Sequence, residues 1–381
     1  MRLSSVVFAL LLATAVHLLA EQKLNLPLPA SGVRYASVEE TQPQWPAEPG
    51  EGVVCLWGDG KLGAMSITID DNNYPDVEFW QQMSEKFGWK FTWFLIVYPG
   101  MYDIFNQQPG NNLGYNGTPE QWKVLYDQGH EIELHGSCQQ TNDLSQDAYR
   151  EHIGLSKKYL EDNIGHRILS FAYPCGATGT KDEPLIFEEV IGETMIAARG
   201  TQGGSTPPHL IDYLNTRSFG AVGFHQPEAT EKRFDQMFDP KRPWKYSYYR
   251  GWGVALYHGL LKDEKRATAE AGLQMIKDRE DELWIAPFTV VARYAQERET
   301  AELDVASAAA NEIRFSVTDD MDDSIFNIPL TVKFRVDGWT AAAAQQNGQA
   351  TKAWIIEHEG AQYAMVYAIP DAGEVVLRKA Q

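Results

Sequence analysis

The chain has 381 residues, with 33 Lys and Arg against 52 Asp and Glu, a formal charge of -19 and three cysteines. So acidic a surface argues against nucleic acid and anionic membrane as partners, and it would repel a strongly anionic polymer from any cleft that is not locally basic. The length suits two domains, and three cysteines leave one unpaired or all of them free.

Residues 1–20 read as a secretory signal. Arg2 supplies the charged start, residues 6–15 form an apolar core too short to span a bilayer, and Ala20-Glu21 is a plausible cut. No cysteine follows the cut, so a bacterial lipoprotein anchor is not indicated. No other stretch reaches about 18 uninterrupted apolar residues, so the expectation is a periplasmic or secreted protein without stable membrane association. Residues 21–51, rich in Pro, Glu and Gln, read as an extended lead-in.

The runs 53–57 and 62–69 flank Gly58-Asp59-Gly60-Lys61, which predicts a hairpin. From Asp76 a helix follows, with Val77, Trp80, Met83 and Phe87 on one face, and residues 90–97 read as a buried strand. Residues 98–117 lack periodicity. A loop this long in a compact domain is functional or mobile, and it is expected above a cleft. Thr118 opens a helix over 119–128, and a strand covers 131–134. Ser145 caps a helix that runs to Asn163 and closes at Gly165. Strand–helix alternation continues to about residue 298, which predicts an α/β domain with a parallel sheet or barrel and loops at the strand C-terminal ends. After Glu299 the pattern changes to short alternating runs at 312–317, 330–336, 352–356, 361–369 and 374–377. These predict a small antiparallel β-sandwich over residues 299–381. Its role stays open between packing, carbohydrate binding and forming an oligomer.

The chemistry starts at Thr68-Ile69-Asp70-Asp71, two carboxylates ending the apolar run 64–69. Side chains alternate across a strand, so one acid can face a pocket while its neighbour turns to a second group. Alone, such a pair is an ordinary strand-ending turn. Further on come Gly129-His130-Glu131-Ile132-Glu133-Leu134-His135-Gly136-Ser137, Phe171-Ala172-Tyr173-Pro174-Cys175-Gly176, Ala197-Ala198-Arg199-Gly200 and Val254-Ala255-Leu256-Tyr257-His258-Gly259. In order and spacing the set resembles the polysaccharide deacetylases of carbohydrate esterase family 4, the NodB-homology domain, over about residues 52–298. Residues 282–294 look like the last strand and helix of that domain.

The resemblance implies a distorted (β/α)7 barrel followed by the sandwich. It also implies a hydrolase that removes acetyl groups from a carbohydrate by metal-assisted attack of water. Asp70 would be the general base and His258 the general acid, with the Cys175 backbone N–H helping to hold the oxyanion. Asp71 and His135 would be metal ligands, and Zn²⁺ suits imidazole and carboxylate. Two positions depart from the pattern. Gln139 stands where a second histidine ligand is expected and would offer a weaker amide oxygen. Ala172 stands where an arginine steadies the base, and Arg199 is the substitute candidate beside an ordinary salt-bridge role.

Tyr173, Trp252 and Tyr257 are candidates to line a sugar subsite, with core packing as the alternative for the two residues beside His258. His130 reads as structural, His225 is an alternative ligand, and Cys138 and Cys175 are expected to lie close enough to bridge. Two competing readings remain: a metal-independent cyclic amidase of the same superfamily, and a carbohydrate-binding protein that has lost activity.

Overall fold

In the computed structural model, which describes residues 42–97, 116–136, 145–224, 227–239 and 248–380, the first strand leaves the barrel altogether. β1 (Gly52–Val54) pairs antiparallel with β12 (Leu330–Val336) of the C-terminal half, Val53 opposite Lys333. The hairpin expected around Gly58 is therefore corrected. Residues 58–60 form a single tight turn, with Asp59 at φ 57°, and deliver the chain into β2 (Gly63–Asp70). All eight residues of β2 are buried, the signature of a central parallel strand covered on both faces.

Seven parallel strands build the barrel: β2, β3 (Thr92–Ile96), β4 (Glu131–His135), β5 (Ser170–Ala172), β6 (Ala197–Gly203), β7 (Thr216–Ser218) and β8 (Trp252–Tyr257). Their order is β7-β6-β5-β4-β3-β2-β8. Backbone bonds from Phe219 N to Val254 O (2.7 Å) and from Leu256 N to Gly220 O (3.3 Å) close the gap between β7 and β8. A short β9 (Leu283–Ile285) adds to the start of β2. This is the distorted (β/α)7 barrel expected.

The helices follow from local chemistry. α1 (Val77–Phe87) buries Val77, Trp80, Met83 and Phe87 and stops at Gly88, whose φ of 76° suits glycine. α2 (Pro119–Asp127) opens with a full capping box between Thr118 and Gln121. α3 (Gln146–Ile164) starts at the Ser145 hydroxyl and ends at Gly165 in the left-handed region. α4 (Ile186–Gly192), α5 (Pro227–Phe238) and α6 (Asp263–Lys277) each bury an apolar face.

The last helix, α7 (Phe288–Thr300), lies between the barrel and the sandwich. Phe288 packs on Phe94 and Trp252 from the barrel, while the Tyr294 hydroxyl donates to Cys55 O at 2.9 Å. The sandwich sheets are β1-β12-β16-β15 and β10-β11-β17-β13-β14. Their strands are β10 (Glu302–Ala309), β11 (Glu312–Thr318), β12, β13 (Ala342–Gln346), β14 (Gln349–Thr351), β15 (Ala353–His358), β16 (Ala361–Ala368) and β17 (Val375–Lys379). One apolar cluster runs from Trp57, Phe94 and Phe288 into Phe315, Phe334 and Leu377, so the two parts share a core.

The barrel interior is polar along β4. Ile132 and Leu134 face the helix-side core, and Glu131, Glu133 and His135 alternate to the other side. Glu131 accepts from Thr92 Oγ1 (2.8 Å), from the backbone N–H of Thr289 (3.0 Å) and from that of Val290 (3.2 Å), which pins the start of α7. Glu133 accepts from Leu169 N (2.9 Å) and Ser170 N (2.7 Å). Burial, and for Glu131 the neighbouring charge of Glu133 as well, push both carboxyls up toward neutrality against these donors.

A carboxyl raised in the folded state stabilises fully below its unfolded value, and that stability is lost as pH rises through the folded value. With an ordinary carboxyl value of 4.5 and folded values of about 7, the window lies between those two. Across this window the urea midpoint of wild type is expected to fall relative to that of Glu131→Gln/Glu133→Gln as pH rises, because only the wild type sheds this contribution. A difference independent of pH would show that the pair does not hold a proton.

Candidate active site

The site is built where β2 ends. Asp70 is buried and points into the barrel, and the backbone then turns sharply through Asp71 (φ 68°) and Asn72 (φ 50°). Asp and Asn tolerate this left-handed geometry better than most residues. The Asn72 side chain locks the turn to β3, accepting from Ile96 N at 2.7 Å and donating to Ile96 O at 3.1 Å. Asn73 Nδ2 donates to Asp70 O at 2.6 Å. Sequence reasoning passed over both asparagines. The available signal was the Asp-Asp-Asn-Asn run itself, four residues that suit turns directly after a buried strand.

Arg199 on β6 donates from Nη2 to Asp70 Oδ2, and its side chain is almost wholly buried. Its guanidinium carbon lies 5.4 Å from the Phe94 ring centroid. Ala172 and Arg199 are register partners on adjacent strands β5 and β6. The small side chain at 172 thus stands beside an arginine reaching the same carboxylate from the next strand. The other oxygen, Asp70 Oδ1, is buried with no hydrogen-bond partner among the described residues.

His135 ends β4. Its Nδ1 lies 2.7 Å from Ala172 O, and a carbonyl can only accept, so Nδ1 carries the hydrogen. Nε2 therefore faces the acids, 3.4 Å from Asp71 Oδ1 and 3.7 Å from Asp70 Oδ2. Burial would lower the His135 pKa, but the charges of Asp70 and Asp71 and the bond to Asp71 outweigh it and raise it. Burial likewise works to raise the Asp71 pKa. The His135 bond and the charges of His135, His258 and Arg199 prevail and hold it low. His258 follows β8 and is half-exposed, with Nε2 3.8 Å from Asp71 Oδ2 and 4.0 Å from Asp70 Oδ2. Four of the residues singled out from sequence converge here, with Arg199 behind them.

Cys175 sits in the turn after β5 at φ 53°. The adjoining Gly176 (φ 70°) has no room for a side chain, since a Cβ there would lie 2.0 Å from Thr201 Oγ1. Cys175 is disulfide-bonded, whereas Cys55 is a free buried thiol whose pKa desolvation pushes up to about 11. Cys138, Gln139 and His225 lie outside the described residues, as do the signal segment and most of the 98–117 loop.

Three expected sugar-binding rings are corrected to core residues. Trp252 is fully buried, donating to Ser66 Oγ at 3.0 Å and lying against Phe288. Tyr257 packs on Trp80 and donates to Val222 O at 2.9 Å. Tyr173 is buried beside Phe171. Rings removed from solvent this completely have no face left to offer a sugar. His130 is structural, its Nδ1 accepting from Phe91 N at 3.1 Å, and burial followed by the charge of Lys90 lowers its pKa to about 4. A cavity of about 820 Å³ lies at the opposite end, where the strands begin, lined by Trp45, Leu62, Arg250 and Lys333.

A curated gellan lyase from a Bacillus species is 31% identical over 376 residues, 93% of this chain. The chain spans only 14% of the length of that relative. Among solved structures, a carbohydrate esterase family 4 pseudoenzyme from Bacillus anthracis aligns at 12% identity with a TM-score of 0.39, covering 67% of this chain and 70% of that one. A family 4 acetyl xylan esterase from Clostridium thermocellum, in complex with a cobalt ion, aligns at 12% identity and a TM-score of 0.37, covering 60% and 89%. Over residues 58–183, which carry β2 through β5 with Asp70, Asp71 and His135, the chain carries a match to the polysaccharide deacetylase family.

Proposed function

We propose that the barrel removes acetyl groups from a polysaccharide, with Asp70 as the base and His258 as the acid. The observation that carries this reading is the meeting of Asp70, Asp71, His135 and His258 within 4.0 Å contacts at one mouth of the barrel. Arg199 holds Asp70 through Oδ2, the oxygen nearest His135 and His258, which would keep the carboxylate aimed at the water it deprotonates. His258, on the loop after the neighbouring strand β8 and half open to solvent, would protonate the departing group. The backbone N–H of Cys175 is the candidate oxyanion donor, an interaction worth about 10²–10³-fold.

Asp71 and His135 fit a divalent ion. The Nδ1 hydrogen on His135 aims an Nε2 lone pair at Asp71 Oδ1, 3.4 Å away. Two electron-rich atoms at that spacing need a cation or a second ring proton between them, and the spacing suits ligands held at roughly 2.0–2.2 Å each. Such an ion, when bound, would lower the pKa of a bound water and polarise the acetyl carbonyl. Zn²⁺ suits this donor pair, with Gln139 or a water completing the set. Export fits the reading: residues 1–20 have the signal pattern, and the Cys175 disulfide suits an oxidising compartment.

Asp70→Asn is expected to lower acetate release from a panel of acetylated glycans at least ~10²-fold, because an amide cannot take a proton at neutral pH. Its melting temperature should also fall, since the buried Arg199 charge loses its partner, while the far-ultraviolet circular dichroism stays native. A variant keeping more than about a tenth of the wild-type rate would remove Asp70 from the base role.

Chelation and dialysis should abolish activity, with Zn²⁺ or Co²⁺ restoring it. His135→Ala should lower the metal content of the purified protein, and Gln139→His should tighten metal binding in titration calorimetry. Full activity in chelator, with no metal by elemental analysis, would instead favour a metal-independent amidase. The described residues supply only two protein ligands, which keeps that second reading in view.

A further inference from the structure

We infer that Asp76 is a positioning residue that fastens the loop carrying His258 to the loop carrying Asp70. It lies six positions beyond Asp70, immediately before α1, and is completely buried. Its carboxylate crosses to the connection between β8 and α6. Oδ2 accepts from Leu260 N at 2.6 Å, and Leu261 N lies 3.1 Å from Oδ1 and 3.2 Å from Oδ2. These are the second and third residues after His258. Arg266, in α6, donates to Asp76 Oδ1 from Nε at 3.1 Å and from Nη2 at 2.9 Å, so the buried charge is paired as well as hydrogen-bonded.

The near end of the link is as well defined. Asp76 N donates to Asn73 O at 3.1 Å, and Asn73 Nδ2 donates to Asp70 O at 2.6 Å. A continuous chain of hydrogen bonds therefore runs from the backbone of the candidate base to the backbone beside the candidate acid. The held loop is under strain, because Leu261 adopts φ 54°, a left-handed geometry that a bulky residue disfavours, and its side chain is half-exposed. No apolar burial of that side chain explains the conformation. Two charge-assisted bonds to Asp76 do, and strained backbone persists only where its surroundings over-determine it.

The activity arm of the test rests on the deacetylase reading. A mispositioned acid should slow substrates whose leaving group needs a proton and spare 4-nitrophenyl acetate, whose nitrophenolate departs without one. Asp76→Asn puts an amide N–H against backbone or guanidinium donors. It is expected to lower kcat on acetylxylan or diacetylchitobiose by ~10²-fold with KM and the 4-nitrophenyl acetate rate little changed. In a His258→Ala background the same substitution should cost almost nothing more. Arg266→Met, which keeps the loop bonds, should lower the melting temperature but spare kcat.

If Asp76→Asn folds poorly, Asp76→Asn/Leu261→Gly relieves the strained turn and should recover stability but not the glycan rate. Equal losses on both substrate types, or additivity with His258→Ala, would overturn the inference. If the wild type deacetylates nothing, the reading fails separately, and the His258 ¹³Cε1–¹H resonance still decides. A single sharp peak that splits or broadens in Asp76→Asn supports the link, and an unchanged peak refutes it.

Discussion

The mouth of the barrel depends on one buried ion pair, Asp70 with Arg199. A guanidinium almost fully removed from water is tolerable only with its charge matched, and the match here is one oxygen of one carboxylate. That requirement fixes the rotamer of Asp70 and sets the field in which Asp71, His135 and His258 sit. The pair also spans strands that are not neighbours, β2 and β6, with β3, β4 and β5 between them. It therefore ties opposite walls of the sheet across the interior, where the Phe94 ring lies against the guanidinium and the register partner Ala172 has only a small side chain.

Below that pair the interior continues polar. Glu131 and Glu133 are held by backbone donors from α7 and from the start of β5; the Thr289 hydroxyl lies within reach of both, and Thr92 binds Glu131 alone. An apolar plug would have stabilised the barrel more simply. The acid pair instead specifies how α7 enters, because its first backbone N–H groups must meet carboxylate oxygens. That orientation sends Phe288 into the barrel and Tyr294 toward Cys55, and so sets the join with the sandwich. Barrel and sandwich share a continuous apolar cluster as a consequence.

Left-handed backbone at residues with side chains recurs at the mouth: Asp71 and Asn72 after β2, Cys175 after β5 and Leu261 after β8. Each follows a parallel strand whose C-terminal end faces the site. Sharp turns at these points let a strand-end side chain stay directed inward while the backbone leaves for the outer helix. The geometry is held by side chains elsewhere, Asn72 on Ile96 and Asp76 on Leu260 and Leu261. The arrangement is thus set before any substrate arrives.

Much of this was legible in the sequence where a local pattern carried the information. The faces of α1 and the caps at Thr118, Ser145 and Gly165 depend on residues within a few positions of each other. The acids ending β2, together with His135 and His258, were legible as spaced motifs. What only the tertiary structure decided involved distant pairings. β1 looked like half of a hairpin because its partner, β12, lies some 280 residues later. β10 escaped notice because nearly all of it is exposed, and β13 is built of alanine and glutamine, so neither shows a sharp apolar alternation. Trp252, Tyr257 and Tyr173 sit beside motif residues in sequence, yet strand alternation and neighbouring rings place them in the core. Arg199 could be proposed from its residue type, but its meeting with Asp70 depends on the register of β5 against β6, which no local pattern encodes.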